Sequence, residues 1–147
     1  MIQPLPLQQR REVSEIAARM LLDCFCTMQE VYGRKHLGAS ANMFLVGAAI
    51  RTNDADGERS TLIGLSRRLN MPRSSVRRAV QELVSFGSIK ESEDGGFTAN
   101  MDWLRELAPN SADKVPGAIL VAAEALQLVL PEELRQQLLK KWRPKTK

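Results

Sequence analysis

The sequence predicts a mainly α-helical protein carrying one small β-hairpin, and three observations lead to that class. Apolar residues recur at steps of three and four through most of the 147 residues, as one face of a helix requires. Helix-ending and helix-opening residues, among them Gly33, Asn70, Pro72, Gly87 and Pro131, separate these runs. A single stretch, around Glu93-Asp94-Gly95-Gly96, reads as two short strands joined by a turn.

The elements follow in order. Residues 1–8 carry two prolines and read as a loose arm. A helix is predicted from Gln9 to Tyr32, with Val13, Ile16, Ala17, Met20, Cys24, Met28 and Val31 on one face. Leu21, Leu22 and Phe25 make other sides apolar as well, so more than one neighbour is needed to bury it. Gly33 suits its C-terminal cap. A second helix is predicted from Ser40 to Thr52, stopped by the turn-rich run Asn53-Asp54-Ala55-Asp56-Gly57.

Thr61 then fits the N-cap of a short helix from Leu62 to Leu69, whose Leu62, Leu65 and Leu69 share a face. Asn70 tolerates the left-handed turn that must follow. Pro72 suits the opening of the next helix, Pro72 to Phe86, expected to bury Val76, Ala79, Val80, Leu83 and Val84. Ile89 and Phe97 mark the two strands. A short helical segment is expected from Met101 to Ala108, with Trp103, Leu104 and Leu107 as its apolar positions, and a break at Pro109-Asn110-Ser111. A largely apolar helix from Pro116 to Leu130 comes next. Pro131 opens the last helix, with Glu132 and Glu133 in its first turn and Lys140 and Lys141 in its last, signs that suit the helix dipole.

Composition narrows the function classes. A hydrophobic content of 44% and a charged content of 26% are those of an ordinary soluble domain. With aromatics at 5%, the core must be aliphatic. The start of the chain lacks the apolar stretch of a secretory signal. The longest apolar run, Val115 to Leu130, is interrupted by Pro116, Glu124 and Gln127, and a bilayer needs ~20 apolar residues. No membrane partner is expected. Two cysteines spaced Cys24-Phe25-Cys26 make no disulfide framework, so a cytoplasmic protein with reduced thiols is expected. Charge is unevenly placed. From Arg59 to Lys90 seven basic residues face one acid, Glu82, a surplus of six in a chain whose total is +4. Such a patch suits a polyanionic partner.

The residues Thr61 to Asn100, TLIGLSRRLNMPRSSVRRAVQELVSFGSIKESEDGGFTAN, resemble the winged helix-turn-helix of bacterial transcription regulators. The leucines at 62, 65 and 69, Ser66, the turn at Asn70, and Val76, Val80 and Leu83 carry the likeness. With the preceding helix, the region from Ser40 to Asn100 is most similar to the MarR family, although GntR-type regulators share much of the pattern. The resemblance implies a winged helix-turn-helix core at 40–100. An N-terminal arm and dimerisation helix at 1–39 and C-terminal dimerisation helices at 101–147 would flank it. It implies a sequence-specific regulator of double-stranded DNA acting as a homodimer, with helix 72–86 in the major groove. A small-molecule effector between helices and core is compatible with it. The alternative is a winged-helix module whose basic face meets an acidic protein.

A helix entering the major groove must be apolar on one face and carry donors on the other. Ser74, Arg77, Arg78 and Gln81 follow such spacing off the apolar face. Arginine grips guanine and glutamine grips adenine bidentately, so Arg77 and Gln81 are assigned to bases. Arg73, Ser74, Ser75 and Arg78 are shared between phosphates and bases, and Arg67 and Arg68 are assigned to phosphates. The hairpin departs from the family: Glu91, Glu93 and Asp94 stand where many relatives carry an arginine, leaving Lys90 as the wing's contact.

Other chemistry is thinly supplied. Some MarR-like peroxide sensors use a cysteine on the N-terminal helix, so Cys24 or Cys26 could sense oxidants, which needs an exposed thiol of lowered pKa; cysteine is equally a common core residue. His36, the only histidine, offers no zinc spacing with the Cys-x-Cys pair and no acyl-transfer triad, and reads as a loop or cap residue. Asp54, Asp56 and Glu58 read as loop solvation rather than a metal site. No enzyme, cofactor or metal is expected.

Overall fold

A computed structural model describes residues 4–33, 36–106 and 113–143. The chain is mainly helical with one small antiparallel hairpin. Its order is α1 (Leu7–Tyr32), α2 (Leu37–Asp56), α3 (Leu62–Leu69), α4 (Arg73–Phe86), β1 (Ile89–Glu91), β2 (Phe97–Ala99), α5 (Met101–Glu106), α6 (Lys114–Val129) and α7 (Glu132–Trp142). The expected Leu107, Ala108 and the break at Pro109-Asn110-Ser111 lie outside the described residues.

Packing divides the chain into two compact units, Met1–Cys24 with Asp113–Lys147, and Phe25–Ala112. The central unit is therefore wider than the expected 40–100. Its aromatic residues explain why. Tyr32, at the end of α1, meets Phe86 edge-on at 5.0 Å and stacks on Trp103 of α5 at 6.3 Å. Phe25 meets Phe44 at 5.1 Å. The last turns of α1 and the start of α5 thus belong to the core of α2, α3 and α4.

That core is aliphatic, as the composition requires. Met43, Val46 and Ile50 of α2, Leu65 of α3, and Val76, Ala79, Val80 and Leu83 of α4 are buried together with Ile89 and Ala99 of the hairpin. Val84 departs from expectation: it lies at the edge of the apolar arc of α4 and is exposed.

The turn between α3 and α4 is dictated locally. Thr61 Oγ1 accepts the Gly64 N–H at 3.1 Å, capping α3. Asn70 takes φ 50 and ψ 44, the one left-handed non-glycine among the described residues. The Met71 N–H then donates to the Ser66 carbonyl at 3.1 Å, and Ser66 Oγ donates to the Met71 carbonyl at 2.6 Å. A short polar residue at 66 therefore serves the turn.

Asn53 to Asp56 do not stop α2; they are its last turn, and Gly57, at φ 69, ends it. The reason is tertiary. Asn53 is buried and donates to Ser60 Oγ at 2.9 Å. Asp54 Oδ2 accepts the Ala99 N–H at 2.8 Å and the Thr98 hydroxyl at 3.1 Å. Residues that read as turn formers are the bolts between α2 and the hairpin. Asp54 is thereby committed to structure, and among the described residues no group of three or more His, Cys, Asp or Glu is placed to hold a metal.

The hairpin pairs Ile89 with Ala99, Lys90 with Thr98 and Glu91 with Phe97. The Phe97 N–H also donates to the Ser60 carbonyl at 3.0 Å, tying the hairpin to the segment before α3. Gly96 permits this approach, because a Cβ there would stand 3.1 Å from the Ser60 carbonyl oxygen.

In the other unit, described by itself, burial is almost absent. Among its described residues only Cys24 and Ala122 are buried. Ile119, Leu120, Val121 and Leu128 of α6 are exposed, Leu128 to 90%. No helix among the described residues is long and apolar enough to cross a membrane.

Candidate nucleic-acid interface

α4 has two opposed faces. Val76, Ala79, Val80 and Leu83 are buried, and Arg73, Ser74, Arg77, Arg78 and Gln81 are exposed. Ser75 lies between them, half-buried. Arg67 on α3 and Lys90 on β1 are exposed as well. None of Arg67, Arg73, Arg77, Arg78 and Lys90 forms a side-chain hydrogen bond or ion pair among the described residues, although Glu82 is on the same helix. The first turn of α4 carries no acid. A helix N-terminus holds a partial positive charge, and Arg73 adds to it rather than offsetting it.

Arg68 is placed differently from the other basic residues. Its guanidinium donates to the Ala49 carbonyl at 3.2 Å and to Asn53 Oδ1. Nη1 is thus engaged by the C-terminal half of α2, where it meets carbonyl oxygens, while the residue remains exposed. Sequence spacing could not separate it from Arg67, because its partners are 15 and 19 residues away.

Two troughs flank α4. One, of about 180 Å3, is lined by Asn42 and Met43 of α2 and by Ser75, Arg78, Ala79 and Glu82. The other, of about 390 Å3, is lined by Leu62, Arg77, Val80, Gln81, Val84, Ser85, Glu91 and Phe97. The exposed ridge of α4 stands between them. No family model, curated protein or solved structure matches the chain. The site is therefore argued from its own chemistry. Asn42 had no signal in the sequence: it is one of several polar residues on α2, and only the fold brings it beside Ser75 and Arg78.

The hairpin tip is less acidic to a partner than its sequence suggests. Asp94 pairs with Arg59 at 3.2 Å, while its Oδ1 accepts the Ser92 hydroxyl at 2.7 Å and the Gly96 N–H at 3.1 Å. The Ser92 and Gly96 bonds, and then the Arg59 charge, hold the Asp94 carboxyl below the usual carboxylate range. A lowered folded value means the tip is stabilised above the ordinary aspartate range and loses this as pH falls through the lowered value. In an acid titration followed by NMR, the Gly96 amide is expected to shift with a midpoint below that of an ordinary aspartate. A midpoint at the ordinary value would remove the latch. Glu91 and Glu93 remain exposed, and their carboxylates make no hydrogen bond or ion pair among the described residues.

The cysteines divide. Cys24 is buried and Cys26 exposed. Burial, with the adjacent Asp23 adding to it, pushes the Cys24 thiol up. A redox sensor needs the opposite shift. His36 occupies the N-cap position of α2 and makes no side-chain capping bond.

Proposed function

We propose that the protein is a sequence-specific, double-stranded DNA-binding regulator of MarR-like, winged helix-turn-helix type. It works in the cytoplasm as a homodimer. α3 and α4 form the helix-turn-helix, α4 enters the major groove, and the hairpin is the wing. The observation that carries this reading is the set of guanidinium groups on α3 and α4 that the chain leaves without acidic partners, with α4 burying Val76, Ala79, Val80 and Leu83 on its opposite face. Such a ridge is poor for stability alone, since Arg73 opposes the dipole of its own helix, and local rules broken without compensation mark functional sites.

Arg77 and Gln81, one turn apart on the crest, are the base readers. Arg67, Arg73 and Arg78 bind phosphates, with Ser74 and Ser75 adding neutral donors. Arg68, exposed but tied to α2 through Nη1, is the weaker phosphate contact of the set. The wing contributes Lys90 only, because Glu91 and Glu93 would be repelled by phosphates.

Homodimerisation is supported by the bare apolar surface of α6. A largely apolar helix with one buried residue has no core of its own, and a second copy is the surface that completes it. Two copies would offer two α4 ridges to half-sites ~34–36 Å apart.

Arg77→Ala tests the assignment. It is expected to weaken specific binding by about 1–3 kcal/mol, roughly 5- to 150-fold, and to relax selectivity at one base pair. Arg67→Ala should instead weaken binding evenly across sequences. An Arg77→Ala protein with unchanged affinity and selectivity would remove base reading from α4.

A further inference from the structure

The two troughs beside α4 carry similar polar groups but differ in how apolar their walls are, and that difference bears on which of them receives the DNA backbone. An α-helix with its side chains is ~10–12 Å across, close to the ~12 Å width of the major groove. With α4 in that groove, the phosphate walls run where the troughs lie. This inference rests on the DNA-binding reading above.

On the α2 side, Asn42, Ser75 and Arg78 line a single cleft floored by the buried Met43 and Ala79. The Asn42 amide, the Ser75 hydroxyl and the Arg78 guanidinium make no hydrogen bond among the described residues. Two neutral donors and one cation converging on a small cleft match the acceptor-only oxygens of a phosphodiester. On the hairpin side, Arg77, Gln81, Ser85 and Glu91 also line the trough, but its remaining walls, Leu62, Val80, Val84 and Phe97, make it the more apolar of the two. A phosphate there would lose water against those apolar walls, and Arg77 and Gln81 are the residues assigned to bases.

We infer that the α2–α4 cleft seats one phosphodiester of the DNA backbone, held by Asn42, Ser75 and Arg78, while the hairpin-side trough holds none. Asn42 then becomes a DNA-binding residue on a helix outside the helix-turn-helix. Glu82, which also lines the cleft and has an interaction of its own, limits affinity by its charge.

The test is a salt series with the full chain on a duplex selected from random sequences, run for the wild type and three variants. Asn42→Ala should lower affinity about 2- to 10-fold for each half-site, the range of one neutral hydrogen bond, with an unchanged salt slope, because a neutral donor displaces no counterion. Arg78→Ala should lower affinity and, with one charge lost from each of two subunits, reduce the log-log slope by about 1.8. Glu82→Gln should raise affinity several-fold, on the order of one removed like charge. Thermal melts of all three establish that the fold is intact. If the wild type binds with a steep slope while Asn42→Ala and Glu82→Gln leave affinity unchanged, the cleft holds no phosphate and the DNA-binding reading survives. A wild type that binds no duplex overturns both.

Discussion

Placing aspartate at both Val121 and Leu128 is expected to convert a dimer into a monomer and to cost roughly 10²- to 10⁴-fold in affinity for a duplex with two half-sites, the range lost when paired binding becomes single. The two residues are seven apart on α6, which puts them on one face, and they are exposed at 67% and 90%. Neither is packed within its own chain, so a monomer should tolerate the change and keep its helicity. A second copy, which would bury that face, cannot, because each unpaired carboxylate would have to leave water. Light scattering at micromolar concentration, with circular dichroism alongside, reads the outcome. A double variant that remained dimeric would place the subunit contact elsewhere. A wild type that was already monomeric would leave α6 without the role given to it.

Leu65→Ala is expected to lower the unfolding free energy by about 2–5 kcal/mol, as full truncations in a packed core do, and Tm by roughly 10 °C. Leu65 is wholly buried and is the one fully enclosed side chain of α3, set against Val46 and Ile50 of α2 and Val80 and Leu83 of α4 in one apolar cluster. The loss should reach beyond stability. α3 positions the Asn70 turn, and that turn sets where α4 begins. Leu65→Met, which nearly conserves volume, should cost less than about 1.5 kcal/mol. A melt of the full chain in which Leu65→Ala cost under 1 kcal/mol would mean that α3 is not held by this core.

What the sequence disclosed and what it withheld divide by the range of the forces involved. The α3 boundaries, the Thr61 cap and the left-handed Asn70 are set by neighbours a few residues away, and they are readable because caps and turns are local devices. The hairpin was readable for the same reason, from its acidic-glycine tip. Asn53 and Asp54 misled, since their turn-forming chemistry is spent on Ser60 and on the Ala99 N–H instead, partners that only the folded chain supplies. Arg68 and Arg67 are adjacent and chemically identical, yet one is tied to Asn53 and the Ala49 carbonyl and the other is not. Val84 fits the apolar spacing of α4 but lies on the margin of the arc, where a periodicity cannot tell half a contact from a full one. Asn42 was invisible for a different reason: its significance is its place beside Ser75 and Arg78, and sequence separation hides that neighbourhood. Arg59 carried a signal as one more base in a basic run, but its pairing with Asp94 across the hairpin tip did not.

Among these expectations the decisive quantity is the salt dependence of duplex binding by the unmodified protein, because it reports directly on phosphates neutralised by the α3–α4 ridge. With Arg67, Arg73 and Arg78 each releasing a counterion in two subunits, log affinity against log salt should fall with a slope of roughly −5.4. A slope shallower than about −1, or no binding to duplex DNA at all, contradicts a DNA-reading dimer and leaves the basic ridge to an acidic protein partner.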